Sequence, residues 1–253
     1  MHQDDIPSHL QAHFGTLDNP FVLHQRPFEH ILTRALALLL AQGKDPASPA
    51  IVHRLTCLDD NPYTASECGN KAGDLTGDMA SKKRNTKADD EPYHKASREV
   101  SWEPAQVATS LLNTPAFFAG LAKRPAFACS QFLQAVASET ISLDDLAECS
   151  AETVFETLLS IKGLGPDTAE SMVLYAFDIP FIPVNGALYR IAHRHGKIPE
   201  VAEREEIRDC FLRFFPTPTY AIRQTHSHLL AVGRQFCTSS KALCAGCPLK
   251  DML

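Results

Sequence analysis

Apolar residues recur along this chain every three or four positions, and no segment reads as a convincing strand. The pattern predicts one helix after another. Phe28 to Gln42 is the plainest, because Ile31, Leu32, Ala35, Leu36, Leu38, Leu39 and Leu40 make it apolar nearly all round, as in a buried helix. Gly43 and Pro46 end it, and a short helix is expected around Pro49 to Leu55. The pattern then breaks. Residues 59–95 are rich in Asp, Asn, Lys, Gly, Ser and Thr and read as a solvated, disordered insertion that contains Cys68 and the run Lys82-Lys83-Arg84. Helical spacing resumes at Val100. Helices are expected around Val107 to Leu112, over Pro115 to Leu121 and over Phe127 to Ala137, and a capped short one after Ser142. Beyond residue 180, helices are expected at Gly186 to His195, Glu203 to Phe215 and Tyr220 to Phe236.

Between these lies the stretch that organises the chain. Ala151 to Ile161 carries Val154, Leu158 and Ile161 on one face, then comes Gly163-Leu164-Gly165, then a helix opened by Pro166. Ala169, Met172, Val173, Ala176 and Phe177 turn that second helix towards a core. Such a turn leaves backbone N–H groups unpaired at a helix start, where they attract an anion, and glycines let a phosphate come close. Lys162 at the tip adds a charge. The same residues also suit an ordinary helical hairpin with a glycine turn.

Composition narrows the class. The chain has 253 residues, 44% hydrophobic and 21% charged, enough for a full core. No apolar run is long enough to span a bilayer and the start lacks the features of a signal peptide, so a cytoplasmic protein is expected, nucleoid-associated in a prokaryote. The formal net charge of −6 disfavours non-specific nucleic-acid binding, so any such contact needs a local positive face and helix N-termini. That balance also leaves room for an interaction module without nucleic acid. Three of the eight cysteines crowd the end of the chain, which in a reducing compartment suggests metal rather than disulfides.

Taken together, the motifs resemble the endonuclease III branch of the helix-hairpin-helix base-excision DNA glycosylases. Leu158 to Phe177, LLSIKGLGPDTAESMVLYAF, is similar to that family's hairpin, Ser101-Trp102 to its early DNA-facing segment, and His228 to Lys250 to its last helix and iron–sulfur loop. The resemblance implies an all-α, two-lobed fold. One lobe is a bundle over residues 28–180, with the hairpin at 151–177 and the insertion at 59–95. The other combines residues 181–253 with an N-terminal arm, residues 1–27. The implied partner is double-stranded DNA with a damaged or mismatched base, bound by a monomer through Lys162, Gly163, Leu164, Gly165, Asp167 and Thr168.

The chain departs from the family at two places. Asn185 stands where the family has its catalytic Asp, within Pro183-Val184-Asn185. Base release builds positive charge on the sugar, and a carboxylate there is worth roughly 10²- to 10³-fold in rate. Asp167 and Asp178 are the nearby acids, and Asp167 also suits the first turn of its helix. Asp167 occupies the position of the lyase lysine, and a carboxylate cannot form a Schiff base, so base removal without strand cleavage is expected. An inactive DNA-binding protein on the same scaffold is the alternative. At the end, Cys237, Cys244 and Cys247 have the spacing of the family's [4Fe–4S] ligands, but the fourth position is Leu253. A cluster completed by another ligand, a zinc site, and packing thiols without metal all remain open. Several further residues have two readings each. Arg190 and His193-Arg194-His195 suit a DNA-facing side or a solvated face. Trp102 and Gln42 suit a wedge or pocket, or plain packing. His226 and His228 suit metal ligation, or a place as surface or core imidazoles.

Overall fold

The computed structural model describes residues 6–15, 30–41, 51, 55, 102–215 and 217–251. The all-α expectation holds: among the described residues the one extended pairing is an isolated bridge between Cys237 and Ala242. The helices are α1 (Ile6–Phe14), α2 (Ile31–Ala41), α3 (Pro104–Leu112), α4 (Pro115–Phe118), α5 (Lys123–Ala137), α6 (Leu143–Ala147), α7 (Ala151–Ser160), α8 (Pro166–Tyr175), α9 (Gly186–Arg194), α10 (Arg204–Leu212) and α11 (Thr219–Gln235). The insertion at 59–95, Gln42 and Leu253 lie outside the described residues.

Local chemistry sets most boundaries. Ser142 and Ser150 cap α6 and α7, each hydroxyl accepting from the N–H three residues on, at 3.2 Å. Two boundaries differ from expectation. Helix α4 stops at Phe118 rather than Leu121, because Ala119 is extended and Gly120 takes φ +75°. Helix α5 starts a turn early, at Lys123, since Pro125 sits in its first turn, where a missing N–H costs nothing.

Two apolar clusters form. The first gathers Leu32 and Leu36 of α2, Leu111 of α3, Phe132 and Leu133 of α5, Val154 and Leu158 of α7, and Met172 and Val173 of α8. The second gathers Ile6 and Leu10 of α1, Ile182 and Val184, Leu188 and Ile191 of α9, Phe211 of α10, and Leu229 and Val232 of α11. Helix α11 touches both, with Ile222 in the first and Leu229 in the second. It lies close against α9: a Cβ at Gly233 would come within 2.5 Å of the Ala187 Cβ. No described helix is long and apolar enough to cross a membrane.

Candidate nucleic-acid interface

The hairpin turn is at the surface. Lys162, Gly163, Gly165, Pro166 and Asp167 are exposed. The two glycines are there for different reasons. Gly163 has φ +93°, and a Cβ on it would meet Phe127 Cδ1 at 2.9 Å, so packing against α5 forces glycine. Gly165 has an ordinary φ of −93°, and a Cβ there would meet nothing within 4 Å. The fold therefore does not require glycine at 165. The Gly165 carbonyl starts α8 by accepting from the Thr168 and Ala169 N–H groups at 3.0 Å. Among the described residues the N–H groups of Gly163, Gly165 and Asp167 have no acceptor. Leu164 faces the other way from its two glycine neighbours. Its side chain is buried in the first cluster and its N–H donates to the Ile161 carbonyl, so neither group is available to a ligand.

Asn185 caps α9. Its Oδ1 accepts from the Ala187 N–H at 2.9 Å and the Leu188 N–H at 3.3 Å. Among the described residues the extended segment before it has no helical or sheet partner, and side chains of three helices hold its backbone. Arg208 Nε donates to the Ile182 carbonyl at 3.2 Å, and His226 Nε2 to the Pro183 carbonyl at 3.1 Å. The Val184 N–H donates to Glu170 at 2.5 Å, and Arg204 donates to the Val184 carbonyl. Glu170, 1% exposed, also takes both Arg204 (2.8 Å) and Arg208 (2.7 Å). Arg204 further pairs with Asp167 at 2.8 Å. Burial pulls the Arg204 pKa down, but its bonds to Glu170 and Asp167 outweigh this and raise it. Asp167 is thus an exposed first-turn acid in an ion pair, and Asp178 is paired with Arg223.

The cysteine loop is tied to α9. Arg190 Nε donates to the Cys237 carbonyl at 3.0 Å. Arg194 donates to Cys237 Sγ at 3.3 Å and to the Thr238 carbonyl at 2.7 Å. These two arginines hold the loop. Cys237, Cys244 and Cys247 border one cavity of about 190 Å³, together with Arg194, His195 and Lys250. Burial raises the Cys247 pKa, and the charges of Cys237 and Cys244 add to the rise. The three cysteines share that cavity, but among the described residues no three or more His, Cys, Asp or Glu side chains are arranged to hold a metal ion. A four-thiolate cluster does not fit the described residues.

No family model matches the chain. It is 33% identical over 110 residues to the Methanocaldococcus jannaschii protein MJ1434, provisionally named a DNA repair glycosylase; the match covers 43% of this chain and 50% of that protein. It is 26% identical over 122 residues to endonuclease III of Sulfolobus acidocaldarius, covering 48% of this chain and 54% of the relative. With Bacillus subtilis endonuclease III it is 30% identical over 97 residues, covering 38% and 43%. The matched region thus spans about half the length of these relatives. The fold is similar to that of endonuclease III trapped as a covalent intermediate with DNA, with TM-score 0.50 and 16% identity over 98% of this chain and 94% of that one. In sequence the chain is thus similar, over part of its length, to endonuclease III and to a DNA repair glycosylase, and its fold is that of endonuclease III.

Within that fold, two groups of residues around position 185 were not legible as a site. Glu170, Arg204 and Arg208 form one; Tyr175 and His226 form the other. The available signals were an acid on the Glu170–Leu174 apolar stripe and a histidine on the Ile222–Leu229 stripe. His226 is a core imidazole, 1% exposed. Its Nδ1 lies 2.7 Å from the Tyr175 hydroxyl, and its Nε2 lies 3.3 Å from Asn185 Nδ2. His228 stacks on Phe14 and donates to the Gly15 carbonyl, fastening α1. Trp102 stacks on His30 at 3.6 Å.

Burial pushes the His226 pKa from 6.5 down to about 4, against the pull of the Pro183 carbonyl. The unfolded chain takes up a proton here near pH 6.5, the folded chain only near pH 4. Between those values the unfolded state holds more protons. Stability from this residue is therefore fully present above pH 6.5 and is lost as pH falls through the window. The loss is at most about 3 kcal/mol. Urea unfolding between pH 7 and pH 4 is expected to show it, and His226→Gln is expected to flatten the profile.

Proposed function

We propose that this chain is a base-excision repair protein that grips double-stranded DNA through the Lys162–Thr168 turn and acts as an N-glycosylase without strand cleavage. In this reading residues 28–180 form one lobe, residues 181–253 with the arm 1–27 form the other, and a single copy of the chain takes a damaged or mismatched duplex between them. The observation that carries the reading is Gly165: the space where its side chain would be is empty, which leaves the start of α8 open to a group that approaches from outside. Unpaired N–H groups at a helix start suit a backbone phosphate. Asp167, held by Arg204, supports base release without lyase chemistry.

The turn is tested by Lys162→Glu with Gly165→Val. Both positions are exposed and the backbone at 165 accepts a Cβ, so the thermal midpoint is expected to stay unchanged. Duplex affinity, read by fluorescence anisotropy, is expected to fall by at least about tenfold. Unchanged affinity would remove the phosphate grip.

A second reading, duplex binding without turnover, is favoured by Asn185 itself, whose Oδ1 is committed to the α9 amides. Base release by the native chain decides between the two, measured on duplexes carrying alkylated, deaminated or oxidised bases.

A further inference from the structure

The superfamily's reacting position is occupied by a residue whose immediate neighbour has a fixed hydrogen-bonding sense. A carbonyl can only accept, so the His226 Nε2 that lies 3.1 Å from the Pro183 oxygen carries the proton. The imidazole is neutral, so Nδ1 accepts, and the Tyr175 hydroxyl 2.7 Å away donates to it. Tyr175 in turn accepts from Ser227, 3.2 Å away. The chain of bonds therefore has one direction, and it ends with an N–H beside residue 185. Asn185 turns Nδ2 towards that N–H at 3.3 Å, because Oδ1 is used on the Ala187 and Leu188 amides. Two donors thus face each other. A carboxylate at 185 would keep one oxygen on the α9 amides and offer the other to His226, and every partner would be satisfied.

We propose that His226 is the positioning residue of position 185: held by Tyr175 and the Pro183 carbonyl as the Nε2–H tautomer, it presents a donor that orients the side chain there. The proposal rests on the reading of 185 as the reacting position only for its effect on rate; the tautomer and its direction stand on the bonds above. The groups that bear on the imidazole are Tyr175 from α8, neutral Asn185 from the start of α9, and the cation Arg234 from α11 itself. None of them is an anion. A carboxylate at 185 would be the first.

The test uses the full chain and nitrogen-15 NMR of its imidazoles. In the native protein His226 is expected to show a protonated Nε2 and a bare Nδ1. In Asn185→Asp the Nε2 proton is expected to persist and move downfield, and the imidazole is expected to titrate at least one pH unit higher than in the native chain. A native Nδ1–H tautomer, or an unmoved titration, overturns the proposal. The rate effect is read by single-turnover base release in the Asn185→Asp background. Adding His226→Ala is expected to lower the rate at least tenfold with duplex affinity unchanged, and His226→Gln, which keeps a donor, is expected to recover part of it. Equal rates with and without His226 overturn the positioning role. If Asn185→Asp releases no base at all, the glycosylase reading fails and the NMR outcome alone decides the tautomer.

Discussion

Asn185→Asp is expected to raise single-turnover base release from a lesion-bearing duplex by roughly 10²- to 10³-fold over the native chain, the range seen when one electrostatic stabiliser of a transition state is removed or supplied. The substitution changes charge and leaves shape alone. One carboxylate oxygen inherits the bonds from Ala187 and Leu188, at 2.9 and 3.3 Å, so α9 keeps its cap. The helix N-terminus favours the negative charge, and His226 supplies a donor from the interior side. In the proposed reading, a carboxylate there would face the sugar on which positive charge grows as the base leaves. The native amide carries no charge to oppose it. The measurement is base release under enzyme excess, with duplex affinity determined alongside. A variant that folds and binds as the native chain does, yet releases base no faster, would show that residue 185 is not where the reaction occurs.

Glu170→Ala is expected to cost about 3–5 kcal/mol of stability, the range for removing one partner of a buried ion pair. Glu170 is 1% exposed and receives the Val184 N–H as well as two guanidiniums. Without it, among the described residues, the anion left to Arg208, whose side chain is only 16% exposed, is the exposed Glu205, 3.6 Å away. Among the same residues Arg204 would retain the exposed Asp167. The Val184 N–H would lose its acceptor inside the fold. Denaturant unfolding of the native chain and the variant gives the difference directly. A loss below about 1 kcal/mol, typical of exposed pairs, would mean that the network is solvent-screened and does not hold the segment before Asn185. Replacing Glu170 together with both arginines by apolar residues is expected to be milder than the single change, because no buried charge is then left alone.

These two effects arise on either side of one short segment. Ile182 to Val184 cannot be part of a helix, since Pro180 and Pro183 interrupt it, and among the described residues no strand pairs with it. Buried backbone groups need partners, and here side chains provide them. Charges from α8 and α10 hold one side, and a neutral imidazole from α11 holds the other. Residue 185 follows directly, so its position is fixed by all three helices together.

The sequence by itself determined where most helices lie, the cap at Ser142 and the hairpin, because these depend on residues within about one helical turn of each other. Gly163 was legible for the same reason, as a position where the chain must turn. Asn185 and the cysteine spacing were legible as departures from a known pattern. Only the tertiary structure decided which polar groups meet. Glu170 and Arg204 are 34 residues apart, and Tyr175 and His226 are 51 apart. No periodicity links such pairs; they meet because apolar packing brings α8 against α11 and α10 beside the extended segment. It also decided that Leu164 faces the core while Gly165 faces open space, and that Arg190 and Arg194 hold the cysteine loop. A charged residue reads the same in a sequence whether it meets solvent, a ligand or a buried partner. Desolvation separates these cases, and desolvation is a property of the assembled fold.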